Sequence, residues 1–251
     1  MAPFSAVIIT YNERQNIGPC LTALSQVAAD IVIVDAYSTD DTVERSRQFG
    51  ARVFQRAWQG YAKAKNYGNS CATYDWVLSI DADEVLSEAL IATLQQWSPQ
   101  PQSVYVLDRI TNYCGRWISY SGWYPDWKPR LFDRRAVAWA GDYVHETLQI
   151  PPDYTIARLE GQLLHYSYKT SAGHLARIEK YAGLAAQELH AKGRRATVAK
   201  LWLSPIFRFL RTYFIKRGFL DGAAGYTISK RNAYLVHLKY QKLRELNQKN
   251  L

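Results

Sequence analysis

The sequence predicts an α/β fold: a mostly parallel sheet with helices on both faces, followed by a helical C-terminal tail. The first observation is that short β-branched runs alternate with amphipathic segments over the first hundred residues. The second is that these runs are apolar throughout, as in strands buried on both faces. Strands that alternate with helices favour a parallel sheet joined by right-handed crossovers.

The chain opens with two strands of this kind. "SAVIIT" (5–10) predicts the first strand, and "DIVIVD" (30–35) predicts the second. Between them, apolar residues recur at helical spacing from Ile17 onward. We expect Asn12 to cap this helix, with Gln15 three residues later as its capping-box partner.

The alternation continues to about residue 97. Residues 38–50 begin with capping residues and end at a glycine, which is typical of a short helix. "ARVFQ" (51–55) predicts the third strand and 60–73 another helix. "DWVLSID" (75–81) predicts the fourth strand, and 87–97 an amphipathic helix.

The second half has a different pattern. From "SVYVLDRITNY" (103–113) to about Tyr168, short strands and turns rich in Trp, Tyr and Gly are expected. Helical periodicity returns at Ser171. The apolar residues of this tail are interleaved with basic ones: Lys200, Arg208, Arg211, Lys216 and Arg217.

Composition limits the functional classes. The 251 residues include 31 Lys and Arg against 22 Asp and Glu, a net charge of +9, which favours anionic partners: nucleic acid, a phosphorylated substrate or an anionic membrane. Cys20, Cys71 and Cys114 have no disulfide or zinc spacing, which fits a reducing compartment. Without a leader-like segment or a long apolar window, we expect a cytoplasmic protein with no membrane span.

Polar groups gather where predicted strands end. Thr10 ends the first strand, Asp35 the second, and "YDWVLSIDADE" ends the fourth at Asp81 and Asp83. Ligands of open α/β sheets collect at this edge. In an extended stretch, Asp81 and Asp83 would share one side and repel unless a cation lay beside them, which favours a divalent metal. The alternative is a solvated acidic turn.

Four segments, in this order and spacing, carry a resemblance to a known family: "VIITYNERQNI", "IVIVDAYSTDDT", "AKAKNYGNS" and "WVLSIDADE". They resemble the nucleotide-sugar domain of inverting family 2 glycosyltransferases, which have the Rossmann-like GT-A fold. "KPRLFDRRAVAWAGDYVHETL", "LLHYSY" and "RFLRTYFIKRGFLDGAAGY" resemble the subgroup of lipopolysaccharide-core β-1,4-glucosyltransferases.

The resemblance implies a nucleoside pocket at the first two strand ends. Thr10, Tyr11 and Glu13 would line it, and Asp35 would contact the base or the ribose. Many relatives have a second acidic residue after the one that matches Asp35. Here that position is Ala36, so base recognition is expected to differ.

The resemblance also implies a diphosphate and metal site. Lys65 would lie near the diphosphate and Asp81 nearer the ribose and sugar. Asp83 would bind Mn²⁺ or Mg²⁺. His165 matches a histidine that often completes this metal site, although a lone histidine among apolar residues also suits a core.

The second half is expected to supply the base and the acceptor site. Glu146 in "YVHET" occupies the position of the family's catalytic base, with a strand-surface glutamate as the alternative. His145, on the opposite face of a strand, would be structural. Trp123, Asp126 and Arg130 are candidates for acceptor contacts, because flat aromatic faces suit sugar rings.

These implications give an expected activity and its rivals. The chain would transfer a hexose, with glucose from UDP-glucose as the expected donor, to a lipopolysaccharide-core or other glycolipid acceptor, forming a β-glycosidic bond. Residues 1–168 would be the catalytic domain, with a nucleotide-sugar half (1–100) and an acceptor half (101–168). The rivals are a nucleotidyltransferase, which would normally have a glycine-rich phosphate loop, and a basic nucleic-acid-binding protein.

The tail, 169–251, has three interpretations: a packing module, a nucleic-acid-binding face, or an interfacial helix on anionic lipid. The last accounts for charge and aromatic residues together. It predicts peripheral association with the inner face of the cell membrane and no nucleic-acid partner.

Overall fold

The computed structural model describes residues 2–141 and 146–248. The chain divides into two compact units. The first comprises Met1–Arg109 and Asp126–Tyr166, and the second comprises Ile110–Pro125 and Ser167–Leu251. The second unit therefore contains a segment from the middle of the chain in addition to the C-terminal helices.

The strands are short apart from two. They are β1 (Ser5–Thr10), β2 (Asp30–Asp35), β3 (Arg52–Gln55), β4 (Trp76–Asp81), β5 (Glu84–Leu86), β6 (Ser103–Tyr113), β7 (Arg116–Ile118), β8 (Trp127–Asp133), β9 (Ala138–Ala140), β10 (Thr147–Gln149) and β11 (Thr155–Tyr168).

Among the described residues, four helices alternate with strands in the first unit, as predicted, and three more helices lie in the second unit. They are α1 (Ile17–Leu24), α2 (Thr42–Gln48), α3 (Tyr61–Cys71), α4 (Glu88–Gln96), α5 (Ser171–Ala191), α6 (Val198–Leu210) and α7 (Gly222–Gln248). A π-helical turn (Arg211–Ile215) and a 3₁₀ turn (Gly218–Asp221) connect α6 to α7.

The main sheet has the order β3-β2-β1-β4-β8-β6-β11-β5. Strands β3, β2, β1 and β4 are parallel to one another, and β8 pairs antiparallel to both β4 and β6. Strands β9 and β10 form a separate two-stranded sheet. The α/β fold class expected from the sequence is confirmed.

Strand β1 shows why both faces of the sheet are covered. Ala6 and Ile8 are fully buried in a cluster with residues of α1 and α4. Val7, which points to the other face, is buried with Ala62 of α3. An uninterrupted apolar strand therefore predicts helices on both sides of the sheet, and the structure places them there.

Two expectations about local structure were wrong. Helix α1 begins at Ile17 with Asn16 at the capping position, so Asn12 does not cap it. Asn12 instead has φ 56° and lies in a loop. The region before Tyr168 also contains the 14-residue strand β11 rather than short strands alone. Its pattern of half-buried residues gives no uninterrupted apolar run.

The connection between α6 and α7 in the second unit depends on close backbone contact. A Cβ atom added at Gly225 would lie 1.8 Å from the carbonyl oxygen of Gly218. Next to it, the buried carboxylate of Asp221 accepts hydrogen bonds from Ser119 N at 3.1 Å, Tyr120 N at 3.2 Å and Ser121 Oγ at 2.8 Å. The glycines allow this approach, and Asp221 fixes the loop at 119–121.

No helix in the described ranges combines the length and apolarity needed to cross a bilayer.

We expect Gly225→Ala to lower the free energy of unfolding by about 2 kcal/mol, because the added methyl group collides with backbone that cannot rotate away. Gly183→Ala, in α5, is the matched control. Nothing lies within 4 Å of its Cβ position, so it should gain up to about 1 kcal/mol from helix propensity. Urea unfolding of the two variants measures both changes. Equal free energies of unfolding for Gly225→Ala and Gly183→Ala would contradict the close approach of Gly225 to Gly218 O.

Candidate active site

Three strand ends meet at one edge of the sheet. In the register of the parallel strands, Thr10 is opposite Asp35, and Ile9 is opposite Asp81. Strand β1 lies between β2 and β4, the position at which strand order reverses. Ligands of α/β proteins bind at such a point, so the structure brings together the positions that the sequence singled out.

Asp35 is fully buried at this edge. Its Oδ2 accepts hydrogen bonds from Thr10 Oγ1 at 2.9 Å and Ser38 Oγ at 2.5 Å. Its Oδ1 accepts from Ser38 N at 2.8 Å and Gln55 Nε2 at 3.3 Å. The carboxylate is thus held in one orientation by groups from β1, β3 and its own loop.

The loop after β1 is tied to the loop after β2. Asn12 N donates to Ser38 Oγ at 2.8 Å, and Asn12 Oδ1 accepts from Thr39 N at 2.8 Å. This explains the left-handed conformation of Asn12, a residue type that tolerates it. Tyr11 is 59% exposed and Glu13 is half-buried. Tyr11 therefore presents an accessible aromatic ring directly after Thr10, which contacts Asp35.

A cavity of about 360 Å³ lies next to this loop pair. Its lining includes Ala36, Arg56, Trp58, Lys63 and Tyr67. The Arg56 guanidinium lies 4.4 Å from the centre of the Tyr67 ring. The small side chain of Ala36, where many relatives have an acid, is therefore part of a pocket wall with cationic and aromatic groups.

Asp81 is neutralised by protein side chains. Its Oδ1 lies 3.2 Å from Lys65 Nζ, and its Oδ2 accepts from Arg130 Nη2 at 2.8 Å. Burial alone would raise the pKa of Asp81, but the charges of Arg130 and Lys65 outweigh it and the pKa is lowered. A lysine and an arginine therefore supply positive charge to Asp81 from within the protein. That a divalent metal lies beside the Asp81 and Asp83 pair stays a prediction.

Glu84, the third carboxylate of the "DADE" run, has a structural role. It is fully buried. Its Oε1 accepts from Arg130 Nη2 at 2.6 Å and from Arg109 Nη1 at 3.2 Å, and its Oε2 accepts from Asp81 N at 3.0 Å. Burial would lower the pKa of Arg130, but Asp81 and Glu84 raise it overall. The guanidinium therefore stays charged between two carboxylates.

The alternation of charge extends further. Asp126 Oδ2 lies 2.6 Å from Arg109 Nη2, and its Oδ1 lies 2.9 Å from Lys128 Nζ. Burial would raise the pKa of Asp126, but Arg109 and Lys128 lower it. We call the connected set the charge ladder: Glu146, Lys65, Asp81, Arg130, Glu84, Arg109, Asp126 and Lys128.

Glu146 is the first member of the charge ladder. Its Oε1 lies 3.2 Å from the same Lys65 Nζ that contacts Asp81. Lys65 is 2% exposed, and its ammonium lies 4.6 Å from the centre of the Trp139 ring. Glu146 lies just before β10 rather than on a strand. His145 lies outside the described residues.

Asp83 and His165 form a separate pair. His165 Nε2 lies 3.3 Å from Asp83 Oδ2. The pairing of β11 with β5 brings His165 opposite Glu84, and Tyr166 N donates to Asp83 O at 2.8 Å. One carboxylate oxygen and one imidazole nitrogen suit Mn²⁺ or Mg²⁺ with a nucleotide diphosphate as a further ligand. Within 2–141 and 146–248, no group of three or more His, Cys, Asp or Glu could hold a metal ion.

Trp123 belongs to the second unit, whereas Asp126 and Arg130 belong to the first. The Trp123 ring stacks on Tyr168 at 5.3 Å and meets Tyr113 edge-on at 5.9 Å. It is partly buried in this cluster. The acceptor role of these three residues stays a prediction.

Sequence reasoning missed three members of the charge ladder: Glu84, Arg109 and Lys128. Arg109 left a signal, because a charged residue in the apolar strand "SVYVLDRITNY" needs a buried partner. Glu84 stood in the acidic run itself but was not assigned a role. Lys128 gave no comparable signal.

Comparison with known proteins agrees with this architecture. Residues 5–172 match the family described as Glycosyl transferase family 2. An uncharacterized glycosyltransferase of Rickettsia prowazekii is 29% identical over 100% of this chain and 89% of its own. The lipopolysaccharide core biosynthesis glycosyltransferase LpsC of Rhizobium meliloti is 28% identical over 96% of this chain and 92% of its own.

Among solved structures, the mannosyltransferase PcManGT of Pyrobaculum calidifontis, in complex with GDP-Man and Mn²⁺, has a TM-score of 0.55. The match covers 98% of this chain and 88% of that one, with 14% identity. This likeness concerns the fold alone and agrees with the expected GT-A class.

We expect Arg130→Met to lower the free energy of unfolding by about 3–5 kcal/mol at neutral pH, because it leaves buried carboxylate charge without its partner. Arg130 lowers the pKa of Asp81. The stability that this ion pair adds is therefore fully present above the unfolded-state pKa of about 3.9 and is lost as the pH falls further. The difference between wild type and variant should therefore shrink in acid.

Arg135→Met is the matched control. Arg135 pairs with Asp133 and Asp75 but is 65% exposed, so its removal should change stability little at any pH. Denaturant titrations at neutral and acid pH test both variants. Equal losses for Arg130→Met and Arg135→Met would contradict a structural role for the charge ladder.

Proposed function

Because the chain belongs to glycosyl transferase family 2, we propose that it is an inverting glycosyltransferase that moves glucose from UDP-glucose to a lipopolysaccharide-core or other glycolipid acceptor. The observation that carries the proposal is that Lys65 contacts both Asp81, of the "DAD" motif, and Glu146, the candidate base. The similarity to LpsC supports a core saccharide as the acceptor class.

The donor nucleotide would bind at the carboxyl ends of β1 and β2. Tyr11 is exposed and can stack on a base, while Thr10 and Asp35 form a fixed polar wall beside it. Glu13 would complete the pocket. Since Ala36 opens a cavity with Arg56 in its wall, the base recognition of this chain would differ from that of relatives with an acid at this position.

Asp83 and His165 would hold the divalent metal, Mn²⁺ or Mg²⁺, on the diphosphate. Such an ion supplies positive charge to the leaving diphosphate. The distance of 3.3 Å between the two donor atoms supports this assignment. Lys65 would lie near the diphosphate, and Asp81 would lie nearer the ribose and the sugar.

Glu146 would act as the general base. Its carboxylate takes the proton of the acceptor hydroxyl as that oxygen bonds to the anomeric carbon. The bond from the anomeric carbon to the diphosphate oxygen breaks in the same displacement, and its electron pair leaves with UDP. Attack from the opposite face inverts the α-linked donor to a β-glycoside. The contact with Lys65 orients the carboxylate before substrate binds.

Asp126 in the first unit and Trp123 in the second remain the candidates for direct contact with the acceptor. Arg130 is 4% exposed and engaged with Asp81 and Glu84, so its influence would be to fix Asp81 rather than to grip a sugar. A glycolipid acceptor would place the reaction at a membrane surface, and we propose that the protein associates peripherally with the cytoplasmic face.

We expect Glu146→Gln to bind UDP as the wild type does but to transfer glucose about a hundredfold more slowly or worse, since the amide cannot accept the proton. Calorimetry of UDP binding and transfer of labelled glucose to a core oligosaccharide provide the two measurements. Glu160→Gln, an exposed carboxylate on β11, should leave both unchanged. Unimpaired turnover in Glu146→Gln would remove this residue from the mechanism.

We expect UDP binding to require Mn²⁺ or Mg²⁺ and to be lost with EDTA or in Asp83→Ala. Calorimetric titration with and without metal measures this directly. Asp75→Ala, at the opposite end of β4, removes a carboxylate that is 45% exposed and should retain metal-dependent binding. UDP affinity that is the same with EDTA and with Mn²⁺ would argue against a metal-assisted donor site.

A further inference from the structure

The second unit exposes a continuous series of large apolar side chains on α6 and the turns after it. Each is between 45% and 68% exposed. We call this set the apolar face: Val198, Trp202, Leu203, Ile206, Phe207, Leu210, Phe214, Ile215, Phe219 and Leu220.

The exposure is the reverse of an ordinary surface helix. Amphipathic helices bury their apolar stripe and present polar residues to water. In α6 only Leu201 is buried, while Trp202, Ile206 and Leu210 recur every four residues on the exposed side. Contiguous apolar surface of this kind marks a site of interaction.

The charges beside the apolar face identify the kind of partner. The segment 198–220 contains five basic residues and no acidic residue. The five are exposed: Lys200, Arg208, Arg211, Lys216 and Arg217. Exposed aliphatic and aromatic groups flanked by cations match a bilayer interface with anionic headgroups, where apolar groups enter the acyl boundary and cations remain at the headgroups.

We propose that the apolar face docks on an anionic lipid surface. This proposal rests on the proposed function, because a glycolipid acceptor is the reason for membrane association. It adds the segment of the chain that makes the contact. Nucleic acid would use the cations and aromatic rings but would leave Val198, Leu203, Ile206 and Ile215 in water. A second copy of the chain would bring the same basic residues against one another.

The docking segment also holds the loop at 119–121. Lys216 O accepts a hydrogen bond from Ser121 N at 3.0 Å, and Asp221 accepts from Ser119 N, Tyr120 N and Ser121 Oγ. Phe214, Ile215, Phe219 and Leu220 lie in the same turns. Lipid docking therefore steadies a loop that precedes Trp123, a candidate for acceptor binding.

The test is co-sedimentation of the full chain, without nucleotide, with vesicles of phosphatidylcholine alone or mixed with phosphatidylglycerol. Wild type should bind the anionic vesicles and release as salt rises. The double variant Leu203→Ser/Phe207→Ser should bind about a hundredfold more weakly, since each lost apolar group weakens binding about tenfold. Leu184→Ser, an exposed leucine on α5 that is 41% exposed, is the matched control and should bind as wild type does.

Charge is tested separately. Arg208→Glu/Arg211→Glu should lose the preference for phosphatidylglycerol, while Arg195→Glu, which lies before α6, should weaken it less. Hydrogen exchange should show residues 117–122 protected when vesicles are added. Asp221→Asn should reduce this protection while vesicle binding persists.

Three outcomes would overturn the proposal. The wild-type protein could fail to bind anionic vesicles at low salt, or Leu203→Ser/Phe207→Ser could bind them as strongly as the wild type does. The wild type could instead sediment as a dimer and Leu203→Ser/Phe207→Ser as a monomer, which would make the apolar face an interface between two copies of the chain. Because no nucleotide is present, failure here is distinguishable from failure of metal-dependent UDP binding.

Discussion

The buried guanidinium of Arg130 lies between two carboxylates, and the arrangement of the sheet edge depends on this contact. Glu84 and Arg130 have almost no exposure to water, so each is stable there only because the other is present. Asp81 shares the same guanidinium nitrogen. Arg130 and Glu84 thereby fix the turn that carries Asp81 and Asp83. Asp83 does not take part in these contacts and pairs with His165.

Sequence reasoning succeeded where the signal is local. The strands at 5–10, 30–35 and 76–81 and the helices between them are set by runs of apolar residues, and the polar groups at their ends follow from the sheet. It failed where partners come from distant segments. Nothing near Asp81 indicates that Lys65 and Arg130 will meet it. Asn12 departs from its expected role because its side-chain oxygen accepts a hydrogen bond from Thr39 N, in the loop after β2.

The segment "KRGFLDGAAGY" shows how a family resemblance acquires a physical reason. Gly225 must lack a side chain because a Cβ there would meet the carbonyl oxygen of Gly218, and a Cβ at Gly218 would lie 2.8 Å from the carbonyl oxygen of Thr212. Asp221, between them, is buried and satisfied by three donors of the loop at 119–121. The glycine and aspartate positions therefore mark a tightly packed junction. The sequence alone could indicate only the family resemblance, because the loop that Asp221 contacts is about a hundred residues earlier in the chain.

The charge ladder has a consequence for electroneutrality. Its eight members, from Glu146 to Lys128, comprise four cationic and four anionic side chains. The group is neutral as it stands, and every cation in it already faces a carboxylate. Because no cation of the charge ladder is in excess, the negative charge of a nucleoside diphosphate would have to be balanced from outside the ladder, by a counterion that travels with the nucleotide or by Arg56 and Lys63 in the wall of the neighbouring pocket.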